Sequence, residues 1–419
     1  MKVILSAKCV YPFHPVGGVQ KYVYYFAKHL SQKGVDVEIV APLDRGRPRT
    51  EVFEGLTYTF LSPSIHWYLE YPIGWLGVHL FSAALAKYLQ NKDFDILHSF
   101  DMTGYQYLRQ ERRKPTIAHV FTDNYLCNPI SSKNPFKFLN IAGVQHDDIK
   151  KEKVKLSPFS DAALKQKYWA QYQFKIKPIY ECLTKAERIC FEEEDVKKDV
   201  TQIFRLDGNK GSVLPVGVDV ALFENRAKSS MINRGDFAFT EKDLVLLTVN
   251  RLAADKGVDK VILALEKVLK DHPKTYLIIV GSGYQEKELR ELIDQKGLTT
   301  QVLHYQNVPE EKLFMYYKVA NIYISAFSYL GSSISSLEAM ACSLPLITTA
   351  QPWLVKSGKN GIMLPHNDPE LIYKAVMKIW NENQLKEMGK SSRDIVNRYD
   401  WSEIAKDAVL LYKELLNKK

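Results

Sequence analysis

The sequence predicts an α/β fold of two Rossmann-like halves, each a mostly parallel sheet covered by helices. Three observations predict it. The chain has 419 residues, more than one hydrophobic core usually supports, so two domains of about 200 residues are expected. Short apolar strands alternate with segments of helical periodicity. The alternation restarts near residue 244, after a stretch rich in glycine. A composition of 46% hydrophobic and 25% charged residues is that of a globular protein and argues against disorder.

The first half opens with the apolar strand Lys2–Ser6, which runs into Pro12, Pro15 and the pair Gly17-Gly18. Residues 19–30 then carry apolar side chains at helical spacing, Gly34 stops the helix, and residues 35–40 alternate as a second strand. Strand, glycine turn, helix, strand is the opening of a Rossmann-like domain. A helix is expected through 80–89, a strand at 95–98 and another at Thr116–Val120. The second half repeats the pattern with strands at Leu244–Val249 and Thr275–Val280, separated by a helix at 258–270. The second of these strands ends at Gly281-Ser282-Gly283. Further strands are expected at 301–305, 322–324 and 345–348, and residues 207–240 read as the hinge. The expected domains are 1–212 and 213–395, with a C-terminal helix from about 396 packing back on the first.

Bulk chemistry narrows the function less than the fold. The N-terminus has no signal-peptide pattern, and the uncharged stretch between Glu70 and Lys87 is too short to span a bilayer. A cytoplasmic protein is expected, with its five scattered cysteines as core thiols, because no C-x-x-C spacing is present. No cluster of His, Cys and acids has metal-ligand spacing, so a metal-free site is expected. The net charge of +9 suggests anionic partners without choosing among them. It is densest at 133–177, where ten lysines face four acids and aromatic residues such as Trp169 and Tyr172 are interleaved. That stretch is either a solvated helical face or a contact with a lipid-linked acceptor or an anionic membrane surface, the inner face for a cytoplasmic protein. No nucleic-acid recognition motif accompanies the charge.

Four local patterns resemble family 4 of the retaining glycosyltransferases, of the GT-B fold, and together they span the chain. Gly17-Gly18-Val19-Gln20 is similar to the family's glycine-rich loop at a helix N-terminus. The segment 214–219 resembles its Pro-Asn-Gly-Val-Asp hinge, with Val216 in place of the Asn. The segment 249–257 resembles its Gly-Arg-Leu...Lys-Gly element, which implies that Arg251 and Lys256 neutralise the donor diphosphate and the leaving group. Residues 321–349 resemble its most diagnostic stretch, which implies that Glu338 binds the ribose hydroxyls. In the same stretch Gly331, Ser332, Ser333 and Ile334 would lie by the donor phosphates, and Gly281 is expected at the donor site.

The resemblance implies two domains facing each other across a cleft and transfer of a hexose from a nucleotide-diphosphate sugar to a lipid-linked or glycan acceptor. Anomeric configuration would be retained, with no protein nucleophile and no cofactor. Three positions depart from the family pattern. Leu330 stands where the family has a Glu associated with the transferred sugar. The family's His-Asp pair would begin at Phe121, so His119, on the same strand face, and Asp123 are the candidate catalytic substitutes. His98, at the end of the preceding strand, matches a family position that is often structural. Gln351-Pro352-Trp353 replaces a Gly-Gly turn. The missing Glu keeps a second reading open, a degenerate nucleotide-sugar-binding protein or the partner subunit of an active enzyme. Another enzyme on the same architecture is a third.

Overall fold

The structure, a computed structural model, describes residues 1–14, 18–44, 47–61, 73–121, 177–229, 231–328, 333–349 and 351–417. The chain divides into two compact units, Met1–Pro215 with Trp401–Lys419, and Val216–Asp400. The crossings fall at 215/216 and 400/401, where 212/213 and about 396 were the expected boundaries. They run side by side in the second unit, Val218 N–H donating to the Tyr399 carbonyl. Residues 207–240, expected as a hinge, are mostly built into elements of one unit or the other.

The N-terminal unit is an eight-stranded sheet of order β3-β4-β2-β1-β5-β6-β7-β8. Its strands are β1 (Lys2–Ser6), β2 (Asp36–Pro42), β3 (Thr50–Phe53), β4 (Leu56–Leu61), β5 (Ile96–Phe100), β6 (Thr116–Val120), β7 (Arg188–Phe191) and β8 (Gly211–Val213). Pairing is parallel except between β3 and β4. That hairpin turns on Glu54 and Gly55, both at positive φ, the backbone a two-residue turn needs to follow strand twist. Helix α1 (Gly18–Gln32) buries Tyr22, Val23, Phe26, Ala27 and Leu30 on one face. It ends where Gly34 takes φ +80° and Val35 N–H reaches back to the Leu30 carbonyl. Helix α2 (Ile73–Leu89) buries Phe81 and Leu85 against the sheet. Helices α3 (Lys177–Lys185) and α4 (Glu194–Ile203) flank β7.

The second unit is a six-stranded, wholly parallel sheet of order β11-β10-β9-β12-β13-β14. After α5 (Val220–Ser229) the strands are β9 (Leu244–Val249), β10 (Thr275–Val280), β11 (Val302–Tyr305), β12 (Ile322–Ser325), β13 (Leu346–Thr348) and β14 (Gly361–Met363). They alternate with α6 (Val258–Asp271), α7 (Glu286–Gln295), α8 (Glu310–Val319) and α9 (Ile334–Ala341), and are followed by α10 (Pro369–Asn381) and α11 (Leu385–Val396). Leu246, Val261, Leu265, Leu277, Ile324 and Ile379 belong to one buried core cluster. Full burial stabilises each such side chain by about 1.5–3 kcal/mol. Helix α12 (Trp401–Asn417) then returns to the first unit, where it packs on α1 with Trp401 edge-on to Tyr22.

Candidate functional site

In the second unit the chain runs from β9 outward to β10 and β11, then comes back to lay β12 on the other side of β9 and continues to β13 and β14. The connections leaving β9 and β12 therefore diverge at their carboxyl ends. In open parallel sheets that crevice is where ligands bind.

Both connections carry residues singled out in the sequence, and contacts bind them together. The loop after β9 holds Arg251 and ends in a short 3-10 turn, Ala254–Lys256. The Asp255 carboxylate draws in both cations, with Lys256 Nζ at 3.1 Å and Arg251 Nη2 at 3.9 Å. Arg251 keeps 68% of its side chain exposed and Lys256 only 17%. The lysine is thus held and the arginine reaches into solvent. Lys256 Nζ also lies 4.3 Å from the ring centroid of Phe327, in the loop after β12. Ser328 N–H donates to the Asp255 carbonyl at 2.9 Å, and Asn367 Nδ2 donates to the Ala326 carbonyl and Ser328 Oγ, both at 3.2 Å. Gly257 closes the join. It sits at φ +64°, and a Cβ there would lie 2.1 Å from the Ala326 oxygen.

Helix α9 brings the third charge. Ser333 caps it, its Oγ accepting from Ser336 N–H at 3.2 Å and lying 2.9 Å from Ser335 Oγ. Tyr323 on β12 donates to Ser335 Oγ at 2.8 Å. Ile334, the first residue of α9, follows this cap, so the positive end of the helix dipole lies beside the β12 loop. Glu338 is 6% exposed, far deeper than an ordinary solvated helix acid. A carboxylate this deep needs a donor, and the Tyr317 hydroxyl supplies one to Oε2 at 2.7 Å.

Gly281 behaves differently. Its N–H donates to the Tyr305 carbonyl, its own carbonyl accepts from His304 Nε2 at 2.9 Å, and a Cβ would lie 1.9 Å from the Asn250 oxygen. Packing of the β9 and β10 ends accounts for that glycine, and its amide is already committed. Around Gly18 the described residues leave open space, with nothing within 4 Å of where a Cβ would sit. Gly17, Asp123, Leu330, Gly331 and Ser332 lie outside the described residues, as does the basic stretch up to residue 176. The half-buried Trp353 closes a helical turn, where its carbonyl accepts from Arg398 Nη2 at 3.0 Å.

His119 requires a correction. It was expected as a catalytic side chain, and the structure places it wholly inside the N-terminal unit, 0% exposed. Its ring stacks on Phe121 at 4.9 Å, which agrees with the expected shared strand face, but Tyr22 and Phe100 close over the rest. His119 Nδ1 lies 3.0 Å from His98 Nε2, and His98 Nδ1 lies 2.7 Å from the Tyr412 hydroxyl of α12. Burial pushes His98 down to about 3, and burial followed by the neighbouring His98 pushes His119 well below the usual imidazole range. Both stay neutral at pH 7 and have no route to a substrate. With Cys190, paired to His119 across β6 and β7, they bring three ligand atoms within 4.8 Å of one another. Direct hydrogen bonds tie Tyr412, His98 and His119 into one buried row, and His119 Nε2 is left without a hydrogen-bond partner among the described residues.

Sequence reasoning missed Asp255, Phe327 and Tyr317. Asp255 carried a signal, an acid beside Lys256 in the matched motif. Tyr317 carried none, since 21 positions and an intervening strand separate it from Glu338.

Comparison with known proteins gives this geometry its family. The model for Glycosyltransferase Family 4 matches residues 16–222, and that for Glycosyl transferases group 1 matches 230–395. An uncharacterised glycosyltransferase of Methanocaldococcus jannaschii is 26% identical over 422 aligned positions, covering 96% of each chain. An alpha-monoglucosyldiacylglycerol synthase of Acholeplasma laidlawii is 27% identical over 233 positions, 53% of this chain and 57% of that protein. Against that relative and a second one from M. jannaschii, the chain spans only 57% and 58% of the protein's length. Among solved structures, a sucrose-phosphate synthase from Thermosynechococcus elongatus superposes with a TM-score of 0.74 at 17% identity, covering 100% of both chains, which speaks to fold alone. Two sheets of this order, matched by two family models that between them span nearly the whole sequence, establish that the chain belongs to family 4 of the glycosyltransferases, of the GT-B fold.

Proposed function

We propose that the protein transfers a hexose from a nucleotide-diphosphate sugar to a lipid-linked or glycan acceptor, with retention of anomeric configuration and without a metal ion or cofactor. One observation carries this reading. In a glycosyltransferase chain, the two connections at the switch point of the second sheet hold Arg251 and Lys256 on one side and the cap of α9 and buried Glu338 on the other. Cations and a helix N-terminus suit a diphosphate, and a carboxylate suits two ribose hydroxyls. The sugar C1–O bond to the donor phosphate breaks, a C1–O bond to the acceptor forms, and the acceptor proton passes to the departing phosphate. Arg251 and Lys256 stabilise the charge that develops on that phosphate, so positioning and electrostatics supply the rate.

A lipid acceptor is favoured by the similarity to a protein named as a glucosyldiacylglycerol synthase and by the lysine- and aromatic-rich stretch 133–177. Among the described residues no helix is long and apolar enough to cross a membrane. In this reading the protein works in the cytoplasm, at the inner membrane face where a lipid acceptor would be met. Nucleoside-diphosphate release from a panel of donors, with and without diacylglycerol vesicles or soluble glycans and with and without EDTA, tests the reading. Acceptor-stimulated, EDTA-insensitive release and an α-linked product from an α-linked donor are expected. Donor binding with no turnover on any acceptor would instead support a degenerate binding protein or partner subunit, the reading favoured by Leu330 at the position of the family Glu.

A further inference from the structure

Helix α9 is held at both ends by tyrosines that a phenylalanine could replace in shape. Toward its N-terminus Tyr323 donates to Ser335 Oγ, which in turn contacts the Ser333 cap. Toward its C-terminus Tyr317 donates to Glu338 Oε2 at 2.7 Å. The two rings pack at 6.1 Å, and Tyr317 also meets Phe223 of α5 edge-on at 6.2 Å. Tyr317 is 0% exposed. Its rotamer is thus fixed by packing from three elements, and its hydroxyl points into the one carboxylate on the helix. Burial first, and then the charge of Glu338, raise the Tyr317 phenol well above its ordinary range, so it remains a donor at any working pH. A hydrogen bond to an ionised acceptor is about twice as strong as a neutral one and fixes the plane of the carboxylate.

We infer that Tyr317 is a positioning residue of the donor site: by holding Glu338 Oε2, it fixes the plane of the carboxylate that meets the ribose, and so sets how well the protein tells a ribonucleotide donor from one without ribose hydroxyls. The inference rests on the assignment of Glu338 as the ribose ligand. Tyr317 touches no substrate and acts through Glu338 alone, in the way outer partners orient a ligating side chain.

The test is calorimetric binding of UDP, GDP and ADP and of their 2′,3′-dideoxy counterparts, which offer Glu338 no hydroxyl, to wild type, Tyr317→Phe and Glu338→Gln, with the tightest-binding base carried forward. Tyr317→Phe should weaken the ribonucleotide about five- to tenfold, the value of one oriented hydrogen bond, while leaving the 2′,3′-dideoxynucleotide within about twofold. A ribose preference that collapses in this way supports the inference. Equal weakening of both nucleotides, or no weakening of either, overturns it, because a packing role would not read the sugar. If Tyr317→Phe does not fold, the comparison is made between Glu338→Gln and the double variant, neither of which buries a carboxylate at this position. There loss of the hydroxyl must leave the ribose preference as low as in Glu338→Gln, because Tyr317 acts through that side chain alone, and a further fall overturns the inference. Should Glu338→Gln itself leave a wild-type ribose preference, the failure lies with the donor-site reading and takes the inference with it.

Discussion

His98 and His119 couple the N-terminal unit to acid. Both imidazoles are neutral in the folded state, with proton affinities depressed below the ordinary value of about 6.5 by burial. The unfolded chain therefore binds more protons below that pH. Their contribution to stability is fully present above about pH 6.5 and falls as the pH drops toward the folded values, by about 1.4 kcal/mol per pH unit for each histidine. The melting temperature of the N-terminal unit should decline between pH 7 and pH 5, and a fold-preserving His119→Phe variant should show a shallower slope. An identical slope would mean that His119 is not buried neutral. The same residue marks the limit of the sequence at this scale. Strand alternation put His119 on the face of Phe121, but whether that face looks at solvent or at α1 and α12 depends on Tyr22 and Tyr412. Tyr412 lies 314 positions from His98, beyond any local pattern. Glu338 shows the reverse: its motif was legible, and its burial and its tyrosine partner were not.

Elements with a long apolar run between polar flanks were readable to the residue. Strands β1, β6, β9 and β10 begin and end where expected, because every residue of a buried parallel strand faces protein. Short or mixed strands escaped, among them β7, β8 and β14 and the β3–β4 hairpin, whose exposed Val52 breaks the apolar pattern. The junction of β9, β12 and α6 is where an element-level prediction bites. Gly257→Ala adds a methyl 2.1 Å from the Ala326 carbonyl at a left-handed position. About 1 kcal/mol of backbone strain is joined by the steric clash, so a total loss above about 2 kcal/mol is expected. Because the clash displaces the β12 loop that carries Phe327, nucleoside-diphosphate affinity should fall along with the melting temperature. Loss of stability with unaltered nucleotide affinity would separate this loop from the site. Gly358→Ala, which meets nothing within 4 Å despite its φ of +80°, is the control for backbone strain alone.

Across the whole molecule, the doubling of one architecture was the most legible feature, since strand and helix periodicities restart in the second half. The return of α12 to the first unit places Trp401, Ile404, Tyr412 and Leu415, all buried, against it. Full burial of four such side chains is worth several kcal/mol, a large share of a domain's net stability. Truncation after Asp400 should therefore unfold the N-terminal unit while the second unit, whose residues end there, still melts cooperatively and still binds nucleoside diphosphate. Two intact transitions in calorimetry of the truncated chain would contradict this. The central claim, that the cationic loop after β9 and the carboxylate of α9 hold a nucleotide-sugar diphosphate, is tested most directly by donor affinity in Lys256→Ala. The side chain is not part of the buried apolar cluster of the second unit, so the variant should stay folded, as its melting transition checks. Affinity for the nucleotide-sugar should fall at least about tenfold through loss of a charge-assisted contact. A folded Lys256→Ala protein that binds donor as tightly as wild type would contradict the claim.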